Sequence, residues 1–132
     1  MGRIYNRTKV IQESAPAFVE KLKEDGVDIL IAAPAWPLDH QTVGLVCRVA
    51  EEAGIATVCV STGRDLTEQV KPPRSLFLNY PMGNNFGGPD DLDLQTRILR
   101  RALAMIDDVT VGGTLIDWEE AWPKKFEYFR GK

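Results

Sequence analysis

The sequence has few residues that form disulfides or hold metal ions. Among its 132 residues are two cysteines, Cys47 and Cys59, and one histidine, His40. The two cysteines match neither a zinc-binding spacing nor a C-x-x-C redox motif, and apolar residues surround each of them. We therefore predict that both are small buried hydrophobic residues, and we predict no metal or other cofactor.

Long apolar runs and an excess of positive charge are also missing. The longest apolar stretch, 29–38, contains two prolines and is far shorter than the roughly 20 residues that cross a bilayer. The first ten residues lack the apolar core of a signal peptide, and Asn6 stands where myristoylation needs Ser or Thr. The net charge of −3 does not attract nucleic acid or an anionic membrane. These features predict a cytoplasmic protein that binds neither nucleic acid nor a membrane surface.

Helical and strand patterns alternate along the chain. The predicted helices cover 14–26, 42–54 and 92–107, with only a brief helical turn at 63–70, and the predicted strands cover 27–33, 56–62 and 75–80. Ser14 is the expected cap of the first helix, and Asp90 or Asp91 that of the last. The last helix carries the expected core stripe, which consists of Ile98, Leu99, Ala102, Leu103 and Ile106.

This alternation predicts the α/β class. Strands that are separated by helices form a parallel sheet through right-handed crossovers, so we expect a small three-layer sandwich that is flavodoxin-like or Rossmann-like. About three strands are expected in the order 2-1-3, with the near-continuously apolar first strand covered on both faces. We divide the chain into an N-terminal extension (1–13), the α/β domain (14–107) and an aromatic C-terminal tail (108–132).

The tail is the most aromatic part of the sequence. Its aromatic residues are Trp118, Trp122, Phe126, Tyr128 and Phe129. Asp117 and Glu120 resemble a capping box, which predicts a short helix that Pro123 ends. Two interpretations remain open: the tail folds over its own sheet, or it is a docking segment for another chain.

Ligands of open α/β sheets bind beyond the carboxyl ends of the strands. Three predicted loops lie there, at 34–41, 61–65 and 79–88. Their candidate substrate-binding residues are Trp36, Ser61, Thr62, Arg64, Asn79, Tyr80, Asn84 and Asn85. An arginine for a carboxylate, amides for hydrogen bonds and aromatic walls suit a small polar organic molecule. No phosphate-binding glycine motif follows a strand.

Asp39, His40 and Asp65 are the candidate catalytic residues, with an acid–base role. Neighbouring side chains usually point apart, so we expect His40 to pair with Asp65 rather than with Asp39. In one alternative, Asp39 only caps the second helix and His40 is an exposed residue of its first turn. In another, Asp39, His40 and Asp65 together hold a metal ion. Arg64 either anchors a carboxylate or covers the end of the sheet.

A family resemblance rests on residues 42–83 and on the helix that ends in RRALAMID. The most specific part is KPPR, followed by a strand and then by PMG. Over 14–107 the chain resembles the C-terminal part of the selenoprotein B family. That family comprises the substrate-handling components of glycine, sarcosine, betaine and D-proline reductases. The resemblance implies a subunit of a small-molecule-metabolising enzyme complex, with a separate partner subunit equivalent to the N-terminal part of the family.

The chain departs from that family in the first loop. The relatives carry U-x-x-C or C-x-x-C there, and aligning the run Thr42-Val43-Gly44 places Trp36 and Asp39 at the two reactive positions. Neither side chain is a thiol or selenol, so the resemblance implies no redox chemistry of that kind in this chain. Two functions remain open: a substrate-binding enzyme subunit, or a non-catalytic subunit that stabilises a catalytic partner.

Overall fold

The computed structural model describes residues 6–123, in which helices alternate with parallel strands. The helices are α1 (Arg7–Lys9), α2 (Ala15–Glu24), α3 (His40–Glu52), α4 (Arg64–Val70) and α5 (Leu92–Asp108), with a π-helical segment, Val10–Ser14, between the first two. The strands are β1 (Ile29–Ala32), β2 (Ala56–Ser61), β3 (Arg74–Phe77) and β4 (Thr114–Asp117). All the helices and strands predicted up to residue 107 are present. No helix in the described range is long and apolar enough to span a bilayer.

The four strands form one parallel sheet in the order β1-β2-β3-β4. The predicted order 2-1-3 is therefore wrong. β2, not β1, is central and almost fully buried, whereas β1 is an edge strand in which Ile29 is 41% exposed. The fourth strand was not predicted, and the capping-box helix at Asp117 is wrong because Asp117 ends β4. Pairing with β3 determines the conformation of this segment, and local sequence carries no sign of that pairing.

Helices cover both faces of the sheet. Thr57 and Ser61 of β2 face α3 and α4, since Ser61 Oγ lies 2.6 Å from Thr67 Oγ1. Val58 and Val60 face the other way and pack against α5. In the order 2-1-3, β3 would lie on the other side of β1 from β2, and right-handed crossovers would then place helices on both faces. In the observed order each new strand is added on the same side as the one before, yet α5 lies on the face opposite α3 and α4. The crossover through α5 therefore has the opposite hand to the two crossovers before it.

The N-terminal helical segment is continuous from Arg7 to Glu24. Asn6 Oδ1 accepts a hydrogen bond from the Lys9 amide at 3.1 Å and caps this segment. Ser14 lies within it and makes no capping hydrogen bond, so the predicted cap is wrong. Val10 is buried beside Val46 of α3, which fixes this segment against the sheet-covering helices.

α5 begins and packs largely as expected. Asp91 Oδ1 accepts from the Leu94 amide at 3.2 Å, which confirms one of the two predicted caps. Ile98 and Ala102 are buried, but Leu99 and Leu103 are each 42% exposed and lie outside the core. Their place in the predicted stripe is wrong because Leu94 and Met105 complete the buried face instead.

The described part of the aromatic tail packs on its own sheet. The Trp118 amide donates to Phe77 O at 2.7 Å, and Trp118 Nε1 donates to the Tyr80 hydroxyl at 3.1 Å. The rings of Tyr80 and Trp122 meet edge to face, with 5.1 Å between their centroids. Two of the five tail aromatics thus fold back over the domain. The other three, Phe126, Tyr128 and Phe129, lie outside the described residues.

Candidate functional site

The three loops at the carboxyl ends of β1, β2 and β3 come together. Asn85, from the third loop, donates through Nδ2 to Pro34 O at 3.0 Å and to Val60 O at 2.7 Å. One buried amide therefore bridges all three strand ends. Asn85 acts here as a structural link, because this amide nitrogen is already hydrogen-bonded within the protein.

His40 is the central polar residue of the site and is only 2% exposed. Its Nδ1 lies 2.6 Å from the carbonyl oxygen of Trp36. Because a carbonyl oxygen only accepts hydrogen bonds, we assign a proton to Nδ1, and in the neutral imidazole Nε2 is then an acceptor. Nε2 is buried and has no hydrogen-bond partner among the described residues. The alternative in which His40 is an exposed first-turn residue is therefore wrong.

Thr62 carries a second buried polar atom without a partner, its Oγ1. It is followed by Gly63, which lies against His40: a Cβ on Gly63 would be 2.7 Å from Nε2. The neighbouring hydroxyls are satisfied, because Thr67 Oγ1 donates to Gly63 O at 2.8 Å and Ser61 Oγ accepts from the Gly63 amide at 3.1 Å. One unpaired atom thus lies against Gly63 and the other belongs to the residue before it, in a turn whose other two hydroxyls are hydrogen-bonded.

Asp39 organises the first loop. Its carboxylate accepts from the amides of Trp36 at 3.0 Å and Ala35 at 3.3 Å, while it makes no capping hydrogen bond to α3. It occupies the capping position, but its side chain points back into the loop. Asp65 is exposed, its carboxylate has no partner among residues 6–123, and the expected pair with His40 does not form. Asp39 is the carboxylate near the ring instead, with Oδ1 3.7 Å from His40 Nδ1, so the expectation that these neighbours point apart is wrong.

The remaining predicted binding residues lie at differing depths. Arg64 donates through Nε to Asp117 Oδ1 at 3.0 Å and also pairs with Glu68, and the hydrogen bond to Asp117 is the main reason that its pKa is raised. It therefore connects α4 to β4, close to the predicted alternative that it covers the sheet end. Asn79 is exposed, and Asn84 donates to Pro81 O within its own loop at 3.1 Å.

Both cysteines are buried, as predicted. A hydrogen bond with Cys47, followed by burial, raises the pKa of the Cys59 thiol well above its ordinary value. The Cys59 thiol therefore stays protonated and is a weak nucleophile. In the part of the chain that the structure describes, no three His, Cys, Asp or Glu residues are grouped so as to hold a metal ion.

Comparison with curated proteins finds a similarity to the D-proline reductase subunit gamma of Acetoanaerobium sticklandii. The two sequences are 27% identical over 128 residues, which is 97% of this chain and 50% of that protein. This chain therefore spans half the length of the relative. The similarity supports a relationship to the proline reductases. No protein-family model matches the chain, and no solved structure matches it.

Trp36 and Asp39 of the first loop differ in exposure. Trp36 is 71% exposed, whereas the Asp39 carboxylate is turned inward against the loop amides. The loop shape thus depends on Asp39, and the large apolar surface that it presents to solvent is the Trp36 ring. Through the Trp36 carbonyl, the same loop also fixes the ring of His40.

Sequence reasoning missed two features of the site. The first is Gly63, whose only local signal is its position between a strand and a helix. The second is that His40 is buried with an unpaired nitrogen, which depends on the close approach of β2 to α3. No periodicity or motif in the sequence reports that approach.

Proposed function

We propose that this chain is a subunit of a reductase-type enzyme complex related to D-proline reductase. It binds a small polar substrate, a carboxylate or an amino-acid-like molecule, at the carboxyl ends of its strands. The 27% identity over 97% of the chain supports this assignment. That relative is itself described as a subunit, which supports a partner subunit for this chain.

The pair of unpaired atoms, His40 Nε2 and Thr62 Oγ1, carries the binding proposal. A buried polar atom without a partner costs about 1–3 kcal/mol, so one such atom against Gly63 and another on the preceding residue need an explanation. Nε2 accepts a hydrogen bond, and the threonine hydroxyl is free to donate one. An amino-acid-like ligand offers both complements, since its ammonium group donates and its carboxylate accepts.

His40 is the residue we propose to accept a proton from the bound molecule. Asp39 positions it, because Asp39 holds the loop that carries the Trp36 carbonyl. Asp65 is a further candidate, at the start of α4 and facing solvent. Thiol or selenol chemistry is not proposed for this chain, since Cys47 and Cys59 are buried and the two positions of the resembled redox motif hold Trp36 and Asp39.

The alternative is a non-catalytic subunit that stabilises a catalytic partner. The observation in its favour is that several candidate side chains, among them Asp39, Ser61 and Asn85, are fully engaged in holding the loops together. In that case the strand ends are a structural platform, and no substrate makes contact with His40.

Titration of the labelled protein with D-proline, followed by amide chemical shifts, tests the binding proposal. We expect saturable shifts at Thr62 and Gly63 and an affinity about tenfold weaker in His40→Asn, which keeps a donor near Trp36 O but removes Nε2. Thr110→Val, on an exposed residue far along the chain, is the matched control and should leave the affinity unchanged. Absence of shifts at both amides at millimolar D-proline would contradict the proposal.

Turnover of the assembled complex separates the two functions. If the chain is catalytic, His40→Asn and Asp39→Asn should both lower kcat in the complex isolated with its partner. If both variants turn over at the unaltered rate while the complex remains assembled, the acid–base role is wrong and the stabilising role is supported.

A further inference from the structure

A groove between α3 and α4 borders the strand-end site, because Pro37 and Leu38 of the first loop line one end of it. Its volume is about 390 Å³, which is within the ~300–1,000 Å³ typical of small-molecule pockets. Its main side chains are three apolar and three polar ones: Leu45, Leu66, Val70, Arg7, Gln41 and Arg48. None of the residues that line it is acidic. The groove thus combines an apolar surface with two guanidinium groups.

Those guanidinium groups have no carboxylate partner in the part of the chain that the structure describes. Four other arginines of the described range form ion pairs with carboxylates: Arg64, Arg74, Arg97 and Arg101. Arg7 and Arg48 have no carboxylate partner among residues 6–123. In a chain of net charge −3, two such groups along one groove make it a locally positive site.

Both arginines are held in place by neutral groups. With its amide oriented to satisfy both atoms, Gln41 accepts from Arg7 Nε at 2.6 Å and from Arg7 Nη2 at 2.9 Å. Arg48 Nη1 donates to the Val70 carbonyl at 3.3 Å. A guanidinium has further N–H donors, so each side chain is oriented and still able to bind an anion.

The close approach of the two helices shapes the groove. A Cβ on Gly44 of α3 would lie 2.5 Å from Val70 Cγ1 of α4, so only glycine allows this packing without a shift. The contact brings Val70 and Leu66 of α4 alongside Leu45 of α3. The apolar part of the groove is therefore built from a fixed helix pair.

We propose that this groove binds a small organic acid. Its carboxylate is held by Arg7 and Arg48, and its aliphatic body lies on Leu45, Leu66 and Val70. Guanidinium groups match carboxylates in geometry and charge, and inorganic phosphate would leave the apolar surface uncovered. The groove shares the first loop with the strand-end site but contains neither His40 nor Thr62, so the two proposals rest on different side chains.

Hexanoate is the probe that tests this proposal, with hexanamide as its neutral analogue. We expect saturable shifts of the Arg7 and Arg48 Nε–H signals with hexanoate and none with hexanamide. Arg7→Gln and Arg48→Gln should each weaken binding about tenfold, because each removes a charge-assisted hydrogen bond. Arg100→Gln, which removes another arginine without an ion pair from α5, is the matched control.

Three results would overturn the proposal. The first is equal binding of hexanamide, which would show that the charge is not recognised. The second is an equal loss of affinity in Arg100→Gln. The third is displacement of hexanoate by inorganic phosphate at equal concentration, which would show general anion attraction only. Binding of D-proline is followed by the amide shifts of Thr62 and Gly63, whereas binding of hexanoate is followed by the Nε–H shifts of the two arginines. Either binding proposal can therefore be contradicted while the other is supported.

Discussion

Nε2 of His40 occupies the space that a side chain on residue 63 would need, since a Cβ on Gly63 would lie 2.7 Å away from it. The backbone of Gly63, at φ −123°, is open to other residues. Glycine is therefore required for space and not for conformation. The contact joins the first turn of α3 to the turn between β2 and α4, and it places the unpaired Nε2 of His40 against the residue that follows Thr62.

Gly63→Ala should lower the free energy of unfolding by about 1–3 kcal/mol, because the added methyl overpacks the contact with His40. Urea unfolding measures the change. Gly112→Ala is the control, since no heavy atom lies within 4 Å of a Cβ there. In a protein that already carries His40→Ala, Gly63→Ala should lower the free energy of unfolding by less. Equal midpoints for Gly63→Ala and Gly112→Ala would show that the contact carries no strain.

Thr62→Val should not destabilise the protein, because it removes a hydroxyl that has no partner. The matched variant Thr67→Val removes a hydroxyl bonded to Ser61 Oγ and Gly63 O, and it should cost about 1–3 kcal/mol. Thermal unfolding of the two variants side by side makes the comparison. If Thr62→Val costs as much as Thr67→Val, the Thr62 hydroxyl has a partner in solution.

Glu51 connects three elements and should be the most costly surface carboxylate to remove. It accepts from the amide and hydroxyl of Thr57, at 2.7 and 2.9 Å, and pairs with Arg74 Nη1 at 2.5 Å. We expect Glu51→Ala to lose about 2–4 kcal/mol, because a half-buried arginine and a buried amide lose their partner. Glu52→Ala, at the exposed neighbouring position, should stay close to the parent protein in chemical denaturation.

Neither cysteine should react with a thiol reagent in the folded protein at pH 8. Cys47 and Cys59 are at most 1% exposed, and the Cys47 hydrogen bond and burial raise the pKa of Cys59. The same reagent should label both after denaturation. Rapid labelling of either cysteine in the native state would contradict the burial and reopen thiol chemistry in this chain.

Stability should fall above pH 10 because of Tyr80. Burial raises the pKa of its hydroxyl, so the folded state keeps the proton at a pH where the unfolded chain, near its ordinary value of about 10, releases it. The contribution is complete below pH 10 and is lost as the pH rises through the folded pKa. Tyr80→Phe should flatten this fall in unfolding experiments between pH 9 and 11, and an unchanged slope would refute it.

Local pattern was a good guide to helices and strands but not to their environment. The 3.6-residue spacing in α5 marks a helix, yet it does not tell Ile98, which is buried, from Leu99, which is 42% exposed. Both are apolar and adjacent on a broad stripe. Which edge of the stripe meets the sheet depends on how the helix is rotated against β2, and that rotation is a tertiary property.

The sequence by itself determined the α/β class, the three loops at the strand ends and the burial of both cysteines. These follow from spacing, capping and turn residues, whose physical effects are local. Strand order, the fourth strand and the burial of His40 against Gly63 were decided only by the tertiary structure. They depend on contacts between segments far apart in the chain, where small differences in packing choose among topologies that the same local pattern allows.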